Sequence, residues 1–168
     1  MNRPGPSGSG ERTVRLERRY AADPVEVWRL CTTAAGIESW WGPDGFTVQV
    51  HHLDLSVGGT MTYSMRVVDP GIAAYLAEQG MPGETHHEVV FTAVQPYRLL
   101  AYRHPVDFVP GVDAYDVGTR FELTPEPGGT RLVLVLDAMH DQAWTDRAVA
   151  GWQQELDHLT RAVEEARS

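Results

Sequence analysis

Residues 144–166, WTDRAVAGWQQELDHLTRAVEEA, carry the longest uninterrupted helical pattern in the chain. Val149, Trp152, Leu156, Leu159, Val163 and Ala166 recur at alternating spacings of three and four, which draws one apolar stripe down an amphipathic helix. Gln153, Gln154, Glu155, Asp157, His158, Arg161, Glu164 and Glu165 cover the opposite face. Asp157 lies one turn before Arg161, the order that favours an ion pair within the helix. At 1.5 Å per residue the helix runs about 34 Å, enough to cross a small domain. A single stripe on so long a helix needs one broad apolar partner. Six or seven short strands lie upstream, and a curved sheet made from them is that partner.

Working outward, residues 1–10, MNRPGPSGSG, hold almost nothing to bury and read as a mobile leader, with residues 11–168 as one domain. TVRLERRY (13–20) alternates, which predicts a half-buried first strand. Asp23-Pro24-Val25-Glu26 reads as a helix start, with Asp as cap, Pro at the first helical position and Glu26 reaching back. A second short helix over 35–41 stops at Gly42-Pro43. Strands over 46–55 and 60–69 flank Gly58-Gly59, and a turn centred near Val57-Gly58 sets Val50 against Met65, His52 against Tyr63 and Asp54 against Met61. Residues 70–83 interrupt the rhythm as a lid or a decoration, with a short helix over IAAYLAEQGM bounded by Gly71 and Gly80. Strands 87–94 and 98–104 turn at Pro96-Tyr97 and set Phe91 against Tyr102. Strands 118–124 and 130–138 pair across residues 126–129, with Phe121 and Leu123 inward.

Composition excludes several classes. Asp and Glu number 23 against 14 Lys and Arg, for a net charge of −9, so phosphate backbones and anionic membrane surfaces are repelled. No apolar run is long enough to span a bilayer, and no signal peptide opens the chain. The reading is therefore a cytoplasmic protein with neither nucleic acid nor membrane as partner; oligomeric state is left open. Cys31 is the single cysteine, which rules out an internal disulfide and reads as a small core residue rather than a nucleophile.

Strand, two short helices, six strands in antiparallel hairpins and one long helix make an α+β pattern in which the sheet wraps the last helix. RRYAADPVEVWRLCT, ESWWGPDGFTVQV, DLSVGGTMTYSM, FELTPEPGGTRLVLV and GWQQELDHL, spanning nearly the whole chain from residue 12, resemble the helix-grip fold of the START, polyketide cyclase and ligand-binding (SRPBCC) superfamily. More narrowly they resemble bacterial proteins related to the activator of the heat-shock-protein ATPase. The resemblance implies a cavity between sheet and last helix, a small apolar or aromatic ligand, and a chaperone as a second candidate partner.

The residues offer a lining for that cavity: Tyr63, Met65, Phe91, Tyr102, Phe121 and Leu123 from strands, Trp152 and Leu156 from the helix, with Trp40 closing one end. His52 and His104 join Tyr63 and Tyr102 as its polar groups. Taken singly, each apolar member is also an ordinary core residue. His51-His52 and His86-His87 are adjacent on strands and point to opposite faces, so neither pair grips one metal ion. A set of His52, His87 and His104 across strands is the only alternative, and no metal or cofactor is expected. The chain has no phosphate loop, nucleophile elbow or HExxH motif. A ligand-binding protein is the preferred reading; a polyketide cyclase or aromatase using Tyr63, His52 or His104 is the enzyme alternative.

Overall fold

The computed structural model describes residues 12–167; the expected leader at residues 1–10 lies outside them. Seven strands form one antiparallel sheet: β1 (Thr13–Tyr20), β2 (Phe46–Leu53), β3 (Thr60–Val67), β4 (Glu84–Gln95), β5 (Leu99–Val106), β6 (Tyr115–Glu126) and β7 (Gly129–Asp137), in the order β1-β7-β6-β5-β4-β3-β2. The helices are α1 (Pro24–Thr32), α2 (Ala34–Glu38), α3 (Pro70–Glu78) and α4 (Gln142–Arg167). This is the α+β helix-grip architecture expected from the sequence. Among the described residues no helix is long and apolar enough to cross a membrane.

The long helix packs its stripe on the sheet. Leu156 and Leu159 are fully buried and Val163 nearly so, against Leu132, Leu134 and Phe121 of the sheet's inner face. Tyr20 at the end of β1 donates its hydroxyl to the Leu156 carbonyl at 3.2 Å and ties helix to sheet. Asp157 meets Arg18 of β1 at 3.5 Å, so the ion pair expected with Arg161 is replaced by one across the helix–sheet seam. At the start of α4, Asp141 accepts from the Trp144 amide at 2.8 Å, an ordinary cap.

Asp23 caps α1 by accepting from the Glu26 amide at 2.9 Å. Glu26 does not reach back; it pairs with Arg29 one turn on. The second helix is shorter than expected and ends at Glu38, leaving Trp40 and Trp41 on the turn that Gly42 completes at φ 98°. That positive angle lets the chain reverse beneath the sheet while keeping both tryptophans buried.

The β2–β3 register differs from expectation. Val48 faces Met65 and Val50 faces Tyr63, and after a bulge His52 faces Thr62 and Leu53 faces Met61. Two features move it. The connection is a wider loop in which the Asp54 amide donates to the Thr60 carbonyl and the Gly59 amide to Ser56, and the bulge at His51 inserts one unpaired residue. The β4–β5 hairpin sets Phe91 opposite Tyr102, as read from the sequence. Residues 70–78 form α3, which starts two residues earlier than expected, because Asp69 caps it through the Ile72 amide at 2.9 Å and Pro70 occupies its first turn.

Candidate functional site: a cleft between sheet and long helix

The inner face of the sheet carries an interlocked aromatic cluster. Trp41 stands 5.3 Å from Tyr63, 6.1 Å from Tyr102 and 6.3 Å from Trp152; Trp40 and Trp152 flank Phe121 at 6.3 and 5.6 Å. Phe91 meets Tyr102 at 6.5 Å. These centroid separations are those of rings in direct packing. Beside the cluster, toward the start of α4, the helix lifts off the sheet and leaves a cleft of about 310 Å³.

His104, Val117, Thr119 and Leu136 of the sheet form the cleft's floor. Its other wall is one face of α4: Trp144, Ala148, Gly151 and Glu155, spaced by three and four residues, with Trp152 beside them. Phe108 from the loop after β5 leans on Trp144 at 5.7 Å and stands over the mouth. Arg147 lies 4.8 Å from the centre of the Trp144 ring. Gly151 faces open space: apart from its chain neighbours and the helix's own backbone, no atom lies within 4 Å of where its Cβ would be.

The inner end of the cleft is polar. Glu155 accepts from the Gly42 amide at 3.0 Å, a contact made by the left-handed turn after the tryptophans. Burial pushes its carboxyl up to about 7, against smaller lowering effects of the Gly42 hydrogen bond and of His158. Burial likewise raises Tyr63 and Tyr102, and the Glu155 charge raises both further. His104 and His87 are held below the ordinary histidine value, chiefly by burial. Tyr63 stacks on His87 at 5.0 Å. The indole N–H of Trp41 is buried with no hydrogen-bond partner among the described residues.

The lining expected from the sequence divides. His104 and Trp152 line the cleft. Trp40, Phe91, Tyr102, Phe121, Leu123 and Leu156 are buried in the packed core beside it, and Tyr63 packs against that core from β3. Met65 lies partly buried on β3, away from the cleft. His52 does not join the polar groups: the bulge turns it to an exposed position opposite Thr62. His51, its neighbour, bonds Ser64 at 2.9 Å. Among the described residues no three His, Cys, Asp or Glu side chains are grouped to hold a metal ion. Cys31 is buried and its thiol is pushed up to about 12, which suits a core residue.

Sequence reasoning missed Glu155, Gly151 and Trp144. Their signal is a second stripe, 144-148-151-155, running beside the apolar one, with small residues at its two central positions. A larger depression of about 530 Å³ lies on the outer sheet face around Gly118. Of its three arginines, Arg15, Arg103 and Arg120, two are matched: Arg120 pairs with Glu122 at 2.7 Å and Arg103 with Asp116 at 3.9 Å. It carries no apolar wall comparable to the inner cleft.

The family model of the activator of Hsp90 ATPase homolog 1-like protein matches residues 21–164. No curated protein matches the chain. Among solved structures, a protein from Chromobacterium violaceum is similar at 25% identity and TM-score 0.75, over 92% of this chain and 98% of that one. The AHSA1 protein from Silicibacter pomeroyi is similar at 22% identity and TM-score 0.70, over 92% and 99%. An AHSA1-like protein from Aeromonas hydrophila follows at 21% and 0.68, over 92% and 93%. With the family's pattern running across almost the whole domain, the chain belongs to the activator of Hsp90 ATPase homolog 1-like family of the SRPBCC superfamily.

Proposed function

We propose that this protein binds a small molecule with an apolar or aromatic body in the cleft between the sheet and α4. The observation that carries the reading is Gly151. A glycine in a helix interior costs about 0.5 to 1 kcal/mol relative to alanine, and here no neighbour requires its small size. It borders a cleft of about 310 Å³, within the range of small-molecule sites. Trp144, Trp152, Val117 and Leu136 supply apolar contact, while Glu155, His104 and Thr119 fix the orientation of a polar end. A buried free cysteine fits a reducing cytoplasmic setting.

A cyclase- or aromatase-type reaction in the same cleft is the second reading, favoured by one observation. A carboxyl pushed up to about 7 exchanges protons near neutrality, as a general acid or base must. The chaperone in the family's name belongs to the proteins so named, and the cleft reading needs none. Native mass spectrometry of freshly purified protein tests the proposal. A retained small molecule, lost from a Gly151→Phe variant that melts like the parent, supports it. Bare protein in every preparation, with no small molecule adding on titration, contradicts it. A bound compound released chemically altered would favour the enzyme.

A further inference from the structure

Resting on that binding reading, the geometry points to the head group. We infer that the inner end of the cleft is a subsite for an organic cation, an ammonium or amidinium group on an apolar body, with Glu155 as its counter-charge and the Trp152 ring beside it.

Glu155 is a cleft-facing carboxylate with no cation of its own. One oxygen accepts from the Gly42 amide at 3.0 Å; among the described residues no other hydrogen bond or ion pair reaches it. The charged groups around it are committed elsewhere. His158, one turn on, is held by Asp44 of the turn after α2 at 2.6 Å. Arg147 lies two turns back along α4, about 12 Å away, seated over Trp144 at 4.8 Å. Asp137, on the β7 side, accepts from the Gly118 amide at 2.8 Å. Burial disfavours a positive charge on His104 of β5 and His87 of β4, and a negative one on the Tyr63 and Tyr102 hydroxyls. Among the described residues only the His158 side chain favours the Glu155 charge, and its ring is shared with Asp44.

Two further features suit a cation. Trp152, three residues before Glu155 on α4, lines this end and offers an aromatic ring to a charge held there. An anionic head would face Glu155 there and would find its only cleft arginine, Arg147, at the other end. A metal ion would lack ligands, since among the described residues no three donor side chains are grouped. An organic cation instead replaces lost hydration with a carboxylate, aromatic faces and the apolar walls that hold its body.

Three probes with one aromatic body test this by intrinsic tryptophan fluorescence and calorimetry on the intact protein: benzyltrimethylammonium, its uncharged isostere neopentylbenzene, and 3-phenylpropionate. The quaternary ammonium does not titrate, so pH acts only on the protein. At about pH 8.5, where Glu155 is ionised, the cation binds roughly tenfold or more tightly than the isostere. At about pH 5.5 the ratio falls toward one. Glu155→Gln, whose amide oxygen can still accept from Gly42, abolishes the ratio at both pH values and keeps isostere binding. Equal affinities at the higher pH, a preference for the carboxylate, or a ratio unchanged in the variant overturns the inference. Should the isostere bind without any cation preference, the cleft reading stands and the subsite falls. Should none of the probes bind, both fall. Equal affinity of cation and isostere for the parent protein at the higher pH overturns the inference even if the variant folds poorly.

Discussion

Replacing Glu155 with Gln should make the protein more stable at alkaline pH and leave it nearly unchanged in acid. Below about pH 4 the carboxyl is protonated whether the chain is folded or not, so it contributes nothing to the pH dependence. As pH rises from the ordinary value of 4.5 to about 7, the unfolded chain sheds the proton while the folded one retains it, and stability falls. Above about 7 the loss is complete. At about 1.36 kcal/mol per pH unit the interval is worth about 3 kcal/mol. The side chain is only partly buried, and residual hydration brings the expectation to about 2 to 3 kcal/mol. Urea melts of parent and variant at about pH 4, 5.5 and 8 measure it. Stability of the variant relative to the parent should climb by that amount between the extremes, equivalent to roughly 4 to 12 °C in Tm for a domain of this size. A difference that stays flat with pH, or that favours the parent at pH 8, would show that Glu155 is well solvated or paired, and the polar end of the cleft would have to be redrawn.

Gly151→Ala should raise stability by about 0.5 to 1 kcal/mol in a thermal melt, since a methyl group meets open space there. Leu156→Ala removes a fully buried side chain at the centre of the helix–sheet seam and should cost about 2 to 5 kcal/mol by urea denaturation. Gly129→Ala would place a Cβ 2.0 Å from the Tyr20 carbonyl oxygen, backbone against backbone, and should cost at least about 2 kcal/mol, read as a lowered Tm. Tyr20→Phe deletes the hydroxyl that reaches the Leu156 carbonyl and should cost about 0.5 to 1.5 kcal/mol, with a urea midpoint identical to the parent's counting against that tie.

The fold was legible because its signals are periodic. The stripe 149-152-156-159-163 needs only helical spacing to be seen, and the hairpin that sets Phe91 opposite Tyr102 needs only alternation and a turn. The β2–β3 register was not, since alternation counts residues evenly and cannot anticipate the extra one at His51. That single bulge moved His52 out of the polar set. The site was legible in its neighbourhood and less so in its members. An aromatic inner face can be read as a pocket wall or as a packed core, and here Trp40, Tyr102 and Phe121 close on one another. The opening lies one stripe further round α4, where Ala148 and Gly151 line the cleft. Charge alone places Glu155 on the polar face of the helix. Its hydrogen bond to Gly42, more than a hundred residues away in the chain, exists only because that turn is left-handed.

That the cleft beside Gly151 is a binding site is tested most directly by a nitrogen-15 NMR titration with a panel of aromatic and acyl fragments. Saturable shifts should gather on the Ala148 and Gly151 amides and on the indole signals of Trp144 and Trp152, and should vanish in a Gly151→Phe variant whose spectrum is otherwise folded. Shifts confined to the outer sheet face around Arg103 and Arg120, or shifts that persist unchanged in Gly151→Phe, would contradict it.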